Sequence, residues 1–483
     1  MSSATPEDVV DRILARSLSL EGTAIQKDSH DSENLEAEER VALRRVGLST
    51  ELEDITEVEY RQLRLEKVVL AGIYASDSEA AEISLRELAA LAETAGSEVL
   101  DGVLQRRQYP DPSTYLGKGK AAELAEIVAS VGADTVIMDG DLAPSQRRAL
   151  EDVVKVKVVD RTAVILDIFA QHAKSREGKA QVELAQLEYL LPRLRGWGES
   201  MSRQAGGRVA GGEGIGSRGP GETKIELDRR RIRTRMAKLR KQIAAMAPSR
   251  ETKRNRRESA ALPQVAIVGY TNAGKSSLLN QMTGADVMVQ NLLFATLDPT
   301  VRRASTPDGR EYTIADTVGF VRSLPHELVE AFRSTLEEAA EADLIVHVVD
   351  AAHPDPEGQI KAVHEVLEGI DGTGDIPELL VLNKSDIAPV TTLQTLRTAH
   401  PRAVAVSAHT GEGMDDLAEC IQEMLPTFQT AVDVVVPYSR GDLVSRMHTA
   451  GQIDSEEHLA EGTRLIGRAD PDLAAELARV CGA

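Results

Sequence analysis

Apolar and polar positions alternate along the chain in a way that predicts two separate α/β domains. From residue 68 onward, short apolar runs such as VVLAGIY and EVLDGVLQR are separated by stretches with helical spacing. Alternation of strands and helices favours a largely parallel sheet, here in an N-terminal subdomain over residues 65–170. The same alternation resumes over residues 262–428, where QVAIVGY, EYTIADT, LIVHVVD, ELLVLNK and AVAVSA are the predicted strands.

The two ends of the chain have different patterns. Residues 1–64 are polar and acidic without a sustained apolar period, and we expect a mostly disordered extension with at most short helices there. Residues 429–483 begin with alternating valines (VDVVVPYS) and continue with short helical patterns. This pattern predicts a small α+β C-terminal domain, so the fold class is α/β multidomain.

A heptad spacing predicts a two-helix element over residues 171–257. Its first seam contains Leu184, Leu187, Leu191 and Leu194, and its second contains Ile225, Ile232, Met236, Leu239, Ile243 and Met246. We expect the two helices to form an antiparallel hairpin with the glycine-rich segment 206–221 as its tip. This segment contains the pattern G-x-G-x-x-G at Gly214, Gly216 and Gly219, but it follows a helix rather than a strand. A dinucleotide-binding turn requires the preceding strand, so that interpretation is excluded.

Charge is distributed unevenly in this acidic chain. The formal net charge is −21, which argues against nucleic-acid binding by the whole surface. Residues 229–257 contain thirteen Lys or Arg residues and a single acid, Glu251. The basic residues are Arg229, Arg230, Arg231, Arg233, Arg235, Lys238, Arg240, Lys241, Arg250, Lys253, Arg254, Arg256 and Arg257. Such a cluster indicates either one element that contacts a polyanion or a merely solvated helix face.

Length, cysteine content and hydropathy narrow the class of protein. A chain of 483 residues requires several domains, and its two cysteines allow neither a disulfide framework nor a cysteine zinc site. The start lacks a signal-peptide pattern, and no apolar run reaches the roughly 20 residues of a membrane span. We therefore expect a cytoplasmic protein without a membrane anchor.

The segment GYTNAGKSS has the pattern of a phosphate-binding loop between a strand and a helix. Glycines allow backbone N–H groups to approach phosphate oxygens, while Lys275 supplies a cation and Ser276 an oxygen for Mg²⁺. The candidate nucleotide-binding residues of this loop are Gly269, Asn272, Ala273, Gly274, Lys275, Ser276 and Ser277.

Two further motifs at strand ends favour guanine nucleotides. In DTVGF, Asp316 is a candidate Mg²⁺ ligand, and the Gly319 N–H group can reach a γ-phosphate. In NKSD, the Asp386 carboxylate can accept hydrogen bonds from guanine N1–H and its 2-amino group, which adenine does not offer. The remaining candidates for the base are Asn383, Lys384, Ser407 and Ala408. The motifs occur in the order typical of a GTPase that cycles between GTP and GDP.

Catalysis by this site depends on residues that the motifs specify less well. Thr296 is the candidate switch threonine that ligates Mg²⁺, with Thr300 as the alternative, and we assign catalysis to Lys275, Thr296 and Gly319. Phe320 stands where Ras-like GTPases have a water-orienting glutamine, so slow basal hydrolysis is expected. Asn272 matches the asparagine of K⁺-stimulated GTPases and is a candidate K⁺ ligand.

Together these motifs resemble the Obg–HflX superfamily, and the flanking segments resemble its HflX branch. They include DPSTYLGKGKAAEL, GPGETKIELDRRRI, NLLFATLDPT and DTVGFVRSLPHELVEAF, within residues 68–428. The resemblance implies a Ras-like GTPase domain and binding to the large ribosomal subunit and its rRNA. It also implies GTP hydrolysis stimulated by ribosomes, with splitting or rescue of stalled ribosomes.

Alternatives remain open at this stage. The chain could be an rRNA-binding scaffold or assembly factor in which GTP is structural, or its N-terminal domain could drive ATP-dependent RNA remodelling. No second phosphate loop supports the latter in the sequence. We expect a monomer.

Overall fold

In the computed structural model, the strands of the described residues form three sheets, and the chain divides into two compact units. One unit contains Met1–Ala173 and Lys179–Arg240, and the other contains Lys174–Gly178 and Lys241–Ala483. The structure describes residues 6–19, 67–75, 77–193, 220–259, 262–284, 293–294, 300–322, 338–370, 372–426, 430–469 and 471–481. Within these ranges, no helix combines the length and the apolar character that crossing a membrane requires.

The N-terminal sheet is entirely parallel, as the strand–helix alternation predicts. Its strands are in the order β2-β1-β3-β4, with bounds β1 Lys67–Tyr74, β2 Glu98–Arg106, β3 Thr135–Met138 and β4 Lys157–Asp160. The associated helices are α1 Pro6–Ser19, α2 Ser78–Thr94, α3 Lys118–Val131, α4 Pro144–Val154 and α5 Arg161–His172. Apolar side chains of β1 and β3 are fully buried against these helices, which gives this sheet its own core.

The first helix, α1, differs from the disordered extension predicted for residues 1–64. Val9, Val10 and Ile13 are buried, and Ile13 lies so close to Gly102 of β2 that a Cβ there would be 2.5 Å from its Cδ1. Arg16 also pairs with the Asp101 carboxylate at 2.9 Å. The helix repeats apolar residues at helical spacing, but only over its 14 residues, which is too short a stretch to give residues 1–64 a sustained period. Residues 20–66 lie outside the described residues.

The predicted two-helix element is present as α6 Arg176–Arg193 and α7 Pro220–Ser259. The predicted seam residues Leu187, Met236 and Leu239 are buried. Ion pairs join Arg235 to Glu183 at 2.5 Å and Arg240 to Glu188 at 2.7 Å.

The two ion pairs lie five residues apart on each helix, so they join one short stretch of α6 to one short stretch of α7. The glycine-rich segment 206–221, predicted as the tip between the helices, lies outside the described residues.

The second α/β domain has a six-stranded sheet that is parallel except for its edge strand β6. The order is β10-β9-β8-β5-β7-β6, with bounds β5 Gln264–Gly269, β6 Thr300–Ser305, β7 Glu311–Asp316, β8 Leu344–Asp350, β9 Glu378–Asn383 and β10 Val404–Ala405. Its helices are α8 Lys275–Thr283, α9 Pro356–Glu368, α10 Val390–Ala399 and α11 Met414–Met424. Parallel strands direct their carboxyl ends to one edge, where loops can form a site.

The C-terminal segment forms a small α+β domain with an antiparallel sheet in the order β11-β13-β12. The elements are β11 Thr430–Val436, α12 Gly441–Ala450, β12 Gly451–Leu459, β13 Gly462–Ala469 and α13 Pro471–Cys481, with a 3₁₀ turn at Tyr438–Arg440. Val432, Val434 and Val436, the alternating valines of the sequence, are buried in its core. The multidomain α/β class predicted from the sequence is therefore confirmed.

Candidate functional site

The loop between β5 and α8 has a backbone that few residue types can adopt. Asn272 and Gly274 have positive φ angles of 60° and 92°. A Cβ on Gly269 would be 2.2 Å from the carbonyl oxygen of Val348, and one on Gly274 would be 2.2 Å from Nδ2 of Asn383. The two glycines are therefore required by close approach of neighbouring strands, which keeps the loop tight at the start of α8.

Lys275 begins α8 and folds back over the loop. Its Nζ donates hydrogen bonds to the carbonyl oxygens of Gly269, at 3.1 Å, and Tyr270, at 2.9 Å. Burial lowers the pKa of this ammonium to about 8, although the Asp316 carboxylate opposes the shift. A buried cation with a lowered pKa gains stability from an anion, so the position suits a phosphate group.

Ser276 and Asp316 place two oxygen ligands side by side. Asp316 ends β7, and its Oδ2 accepts a hydrogen bond from Ser276 Oγ at 2.7 Å. Mg²⁺ prefers hydroxyl, carboxylate and phosphate oxygens, so the donor set fits this ion. Ser277 follows in the first turn of α8, half-buried. The predicted third ligand, Thr296, lies outside the described residues.

The DTVGF segment packs directly on the phosphate loop. Thr317 is fully buried and donates its hydroxyl proton to the carbonyl oxygen of Ile267 at 2.7 Å. A Cβ on Gly319 would be 2.7 Å from Cγ2 of Thr271 and 3.1 Å from Lys275 Nζ. Gly319 therefore lies beside the buried ammonium, as a contact to the same terminal phosphate would require.

Phe320 is held against the same loop by its backbone. Its N–H donates to the carbonyl oxygen of Gly269 at 3.1 Å, and its own carbonyl accepts from the Thr271 N–H at 2.7 Å. The side chain is buried. A phenyl ring cannot orient a water molecule by hydrogen bonding, so this position does not supply the group that activates water.

Asn383 joins the phosphate loop to the loop after β10. Its Nδ2 donates to the carbonyl oxygen of Ala273 at 2.7 Å, and its Oδ1 accepts from the Ala408 N–H at 3.0 Å. The side chain is 2% exposed. Because both of its polar atoms are used, Asn383 fixes the relative position of two loops that were assigned to opposite ends of the nucleotide.

The other predicted base-binding residues lie at the same strand edge. Lys384 has a φ of 61°, and its Nζ pairs with the Asp350 carboxylate at 2.5 Å. Ser407 is fully buried, and its Oγ accepts from the Thr410 N–H at 3.1 Å. Asp386 is exposed, so its carboxylate is accessible to a base.

Sequence reasoning missed two residues that shape this site. Asp350 holds Lys384, and Tyr270 accepts a hydrogen bond from the Arg322 N–H at 2.5 Å through its hydroxyl oxygen. Asp350 could have been found, because it ends the predicted strand LIVHVVD and parallel strands share an edge. Tyr270 occupies a variable position of the loop pattern, and no sequence signal separates it from other residues.

Family models match four consecutive parts of the chain. Residues 82–170 match the model described as GTP-binding GTPase N-terminal, and residues 172–257 match the GTP-binding GTPase Middle Region. Residues 264–384 match the model described as 50S ribosome-binding GTPase, and residues 393–483 match the HflX C-terminal domain.

Relatives align over most of the chain. A protein of Lacrimispora saccharolytica named GTPase HflX is 42% identical over 89% of this chain and 98% of its own length. The GTPase HflX of Escherichia coli is 43% identical over 81% of this chain and 90% of its own length. Among solved structures, a GTP-binding protein from Sulfolobus solfataricus in complex with GDP matches with a TM-score of 0.39 and 25% identity, over 74% of this chain and 98% of that one.

Proposed function

We propose a function that proceeds from one established premise: the chain belongs to the HflX family of GTPases. The protein is a GTP hydrolase. The proposed function is that it binds the large ribosomal subunit, that the subunit stimulates GTP hydrolysis, and that the cycle splits or rescues stalled ribosomes. The observation that carries the nucleotide part is the convergence of Lys275, Ser276, Asp316 and Asn383 at one edge of the six-stranded sheet.

In this proposal the phosphates bind at the N-terminus of α8. Lys275 exchanges its two carbonyl acceptors for phosphate oxygens, and the Gly319 N–H contacts the γ-phosphate. Ser276, Asp316 and Thr296 would hold Mg²⁺, which would neutralise negative charge on the phosphates. Asn272, with an exposed side chain on this loop, is the proposed K⁺ ligand.

Selectivity for guanine is assigned to the loops after β9 and β10. The exposed Asp386 carboxylate accepts two hydrogen bonds from the base, and the backbone near Ser407 and Ala408 addresses the guanine O6. The aliphatic stem of Lys384, oriented by Asp350, covers the face of the base. A base that lacks these donors leaves the carboxylate unpaired in the complex, which costs affinity.

The ribosome is the proposed partner that completes the hydrolytic site. Phe320 leaves the attacking water without a hydrogen-bonding side chain at its position, so turnover by the protein alone is slow. The match of residues 264–384 to a 50S ribosome-binding GTPase model supports this partner. Stimulation then arises when the partner positions the water or neutralises charge in the transition state.

Helix α7 is the proposed rRNA contact. Arg235 and Arg240 are paired with acids of α6, whereas Arg230, Arg233 and Lys238 are exposed on the same helix. Exposed cations along a helix neutralise backbone phosphates, which gives binding that weakens steeply with salt. The glycine-rich segment 206–221 is proposed to approach rRNA, since backbone without side chains can enter narrow spaces between phosphates.

Cosedimentation with large ribosomal subunits tests the proposal. A non-hydrolysable GTP analogue should support binding, and GDP should release the protein. The triple variant Arg230→Ala, Arg233→Ala, Lys238→Ala should weaken binding and reduce the slope of log affinity against log salt by about 2 to 3. The matched control, Lys361→Ala with Arg397→Ala, removes exposed cations of α9 and α10 and should bind as the original protein does.

Two results would contradict the proposal. Binding that is equal with GDP, with the GTP analogue and in Lys275→Ala would favour a scaffold in which GTP is structural. An unchanged salt dependence in the triple variant would remove α7 as the rRNA contact.

A further inference from the structure

Three side chains that the nucleotide site does not use form a compact cluster in the six-stranded domain. His347 lies in β8, His364 in α9, and Glu378 is the first residue of β9. Glu378 Oε1 is 2.6 Å from His347 Nδ1 and 2.9 Å from His364 Nε2. The two imidazole rings meet edge to face, with their centroids 5.4 Å apart. Among the residues that the structure describes, no other group of three such side chains meets in this way.

The cluster reaches from the core to the surface. His347 is 1% exposed, whereas His364 and Glu378 are 41% and 32% exposed. His347 is fixed because its strand pairs with β5 on one side, opposite Val268, and with β9 on the other, opposite Leu380. The cluster therefore has one rigid, buried member and two members through which a small ion can enter from solvent.

The protonation states of Glu378 and His347 favour a cation, whereas the hydrogen bond with Glu378 raises the pKa of His364, so an ion must displace a proton there. Burial raises the pKa of Glu378, but hydrogen bonds from His347 and His364 outweigh it and lower the pKa to about 2, so this carboxylate is ionised. Burial lowers the pKa of His347, despite the opposing hydrogen bond with Glu378. A neutral His347 donates its Nδ1 proton to the carboxylate. Neutral imidazole and ionised carboxylate are the forms that bind metal ions.

The geometry points to a metal site: we propose that His347 Nδ1, His364 Nε2 and the Glu378 carboxylate bind a divalent transition-metal ion of the Zn²⁺ class. The candidate ligand atoms of the three residues all lie within 4.8 Å of one another. Ligands of a tetrahedral zinc ion lie about 2.0–2.2 Å from the metal and hence about 3.4 Å apart. The two hydrogen-bonded distances need to open by less than about 1 Å to reach that value.

The donor set distinguishes this ion from Mg²⁺. Two imidazole nitrogens and one carboxylate suit Zn²⁺ and its transition-metal neighbours, whereas Mg²⁺ prefers oxygen ligands alone. Three protein ligands leave a fourth position for water on the exposed side. On binding, the ion replaces the proton that His347 shares with Glu378, and the Nε2 atom of His347 takes up a proton instead.

A bound ion would connect α9 to two strands that end in the nucleotide site. Strand β8 ends at Asp350, the partner of Lys384, and β9 ends at Asn383, which holds the phosphate loop. The ion therefore acts as a cross-link within the domain. Because it binds the folded state, it raises the midpoint of thermal unfolding by an amount that grows with the logarithm of its concentration divided by its dissociation constant.

Titration with Co²⁺ tests the site in the full-length, GDP-bound protein with excess Mg²⁺. Co²⁺ is the probe because a tetrahedral nitrogen–oxygen site gives visible absorption bands that Zn²⁺ then abolishes by competition. We expect one equivalent to bind. His364→Gln and Glu378→Gln should each weaken Co²⁺ binding by at least about tenfold. Loss of a residue that only hydrogen-bonds to a metal ligand already lowers metal affinity about 10- to 100-fold. Both substitutions are at partly exposed positions, and unchanged GDP affinity shows that the variants are folded.

His400 provides the matched control. Its Nε2 pairs with Glu357 at 3.3 Å on the surface of the same domain, without the second imidazole of the proposed site. His400→Gln should leave the Co²⁺ spectrum and affinity unchanged. The proposal is overturned if no tetrahedral spectrum appears, or if binding is the same in His364→Gln and Glu378→Gln. It is also overturned if unfolding responds to protonation of the cluster but not to Zn²⁺, because the three residues then form a proton-linked network only.

Discussion

Replacement of Asn383 by alanine tests how the two ends of the nucleotide site are held together. The substitution removes hydrogen bonds of 2.7 Å to the Ala273 carbonyl and 3.0 Å from the Ala408 N–H. Each such bond contributes about 1 kcal/mol net. Two bonds therefore give about 2 kcal/mol, which corresponds to an affinity for GDP about 30-fold weaker. The loss appears in affinity because the nucleotide must then order both loops itself.

The assay is equilibrium displacement of a fluorescent GDP analogue, together with denaturant unfolding to confirm that the variant is folded. Thr395→Ala is the control, because its hydroxyl only bonds the Thr391 carbonyl within the exposed surface of α10. Its effect should stay within about 0.5 kcal/mol. If Asn383→Ala binds GDP within threefold of the original affinity, the reasoning is refuted, because the two Asn383 hydrogen bonds would then not hold the loops in their binding arrangement.

Three further predictions concern the guanine contact, the buried ammonium of Lys275 and helix α1. Asp386→Asn should weaken GDP binding and strengthen XDP binding, because an amide can donate a hydrogen bond to the 2-oxo group of xanthine. A competition assay that finds an unchanged preference for GDP over XDP would contradict this. Because the pKa of Lys275 is about 8, its protonated fraction falls about tenfold when the pH rises from 7 to 9. GDP affinity should then fall about tenfold over the same range. A GDP affinity that does not change with pH would show that phosphate binding does not need this ammonium. Ile13→Ala should lower the free energy of unfolding of the N-terminal sheet by about 2 to 5 kcal/mol; a change below about 0.5 kcal/mol would leave α1 without a stabilising role.

The parallel strands were predictable because their signals are local, whereas β12 and β13 lie where the sequence indicated short helical patterns. The buried strand β5 has a continuous apolar run that ends at a glycine, and β8 has an apolar run, interrupted by His347, that ends at an aspartate. Helix α1 was not predictable in this way, since its three buried residues depend on a contact with β2 that lies far away in the sequence.

The positions of the candidate nucleotide-binding residues could be predicted from strand ends, whereas the roles assigned to them stay predictions. Asp316 and Asn383 end β7 and β9, and Lys275 begins the helix after the loop that follows β5, so all three lie at one edge of the sheet. The hydrogen bonds by which Asn383 joins two loops could not be predicted from the sequence, because its partners are backbone atoms of Ala273 and Ala408. The cluster of His347, His364 and Glu378 was also invisible, since its members come from three elements and match no spacing motif.

Turnover of GTP with and without large ribosomal subunits tests the central claim most directly. The measurement is made in K⁺ and again in Na⁺, with Asn272→Ala as the variant that removes the proposed K⁺ ligand. The account predicts slow turnover by the protein alone, strong stimulation by the subunit, and a K⁺ dependence that Asn272→Ala abolishes. Turnover that the subunit leaves unchanged in either salt would contradict the ribosome as the partner that completes the site.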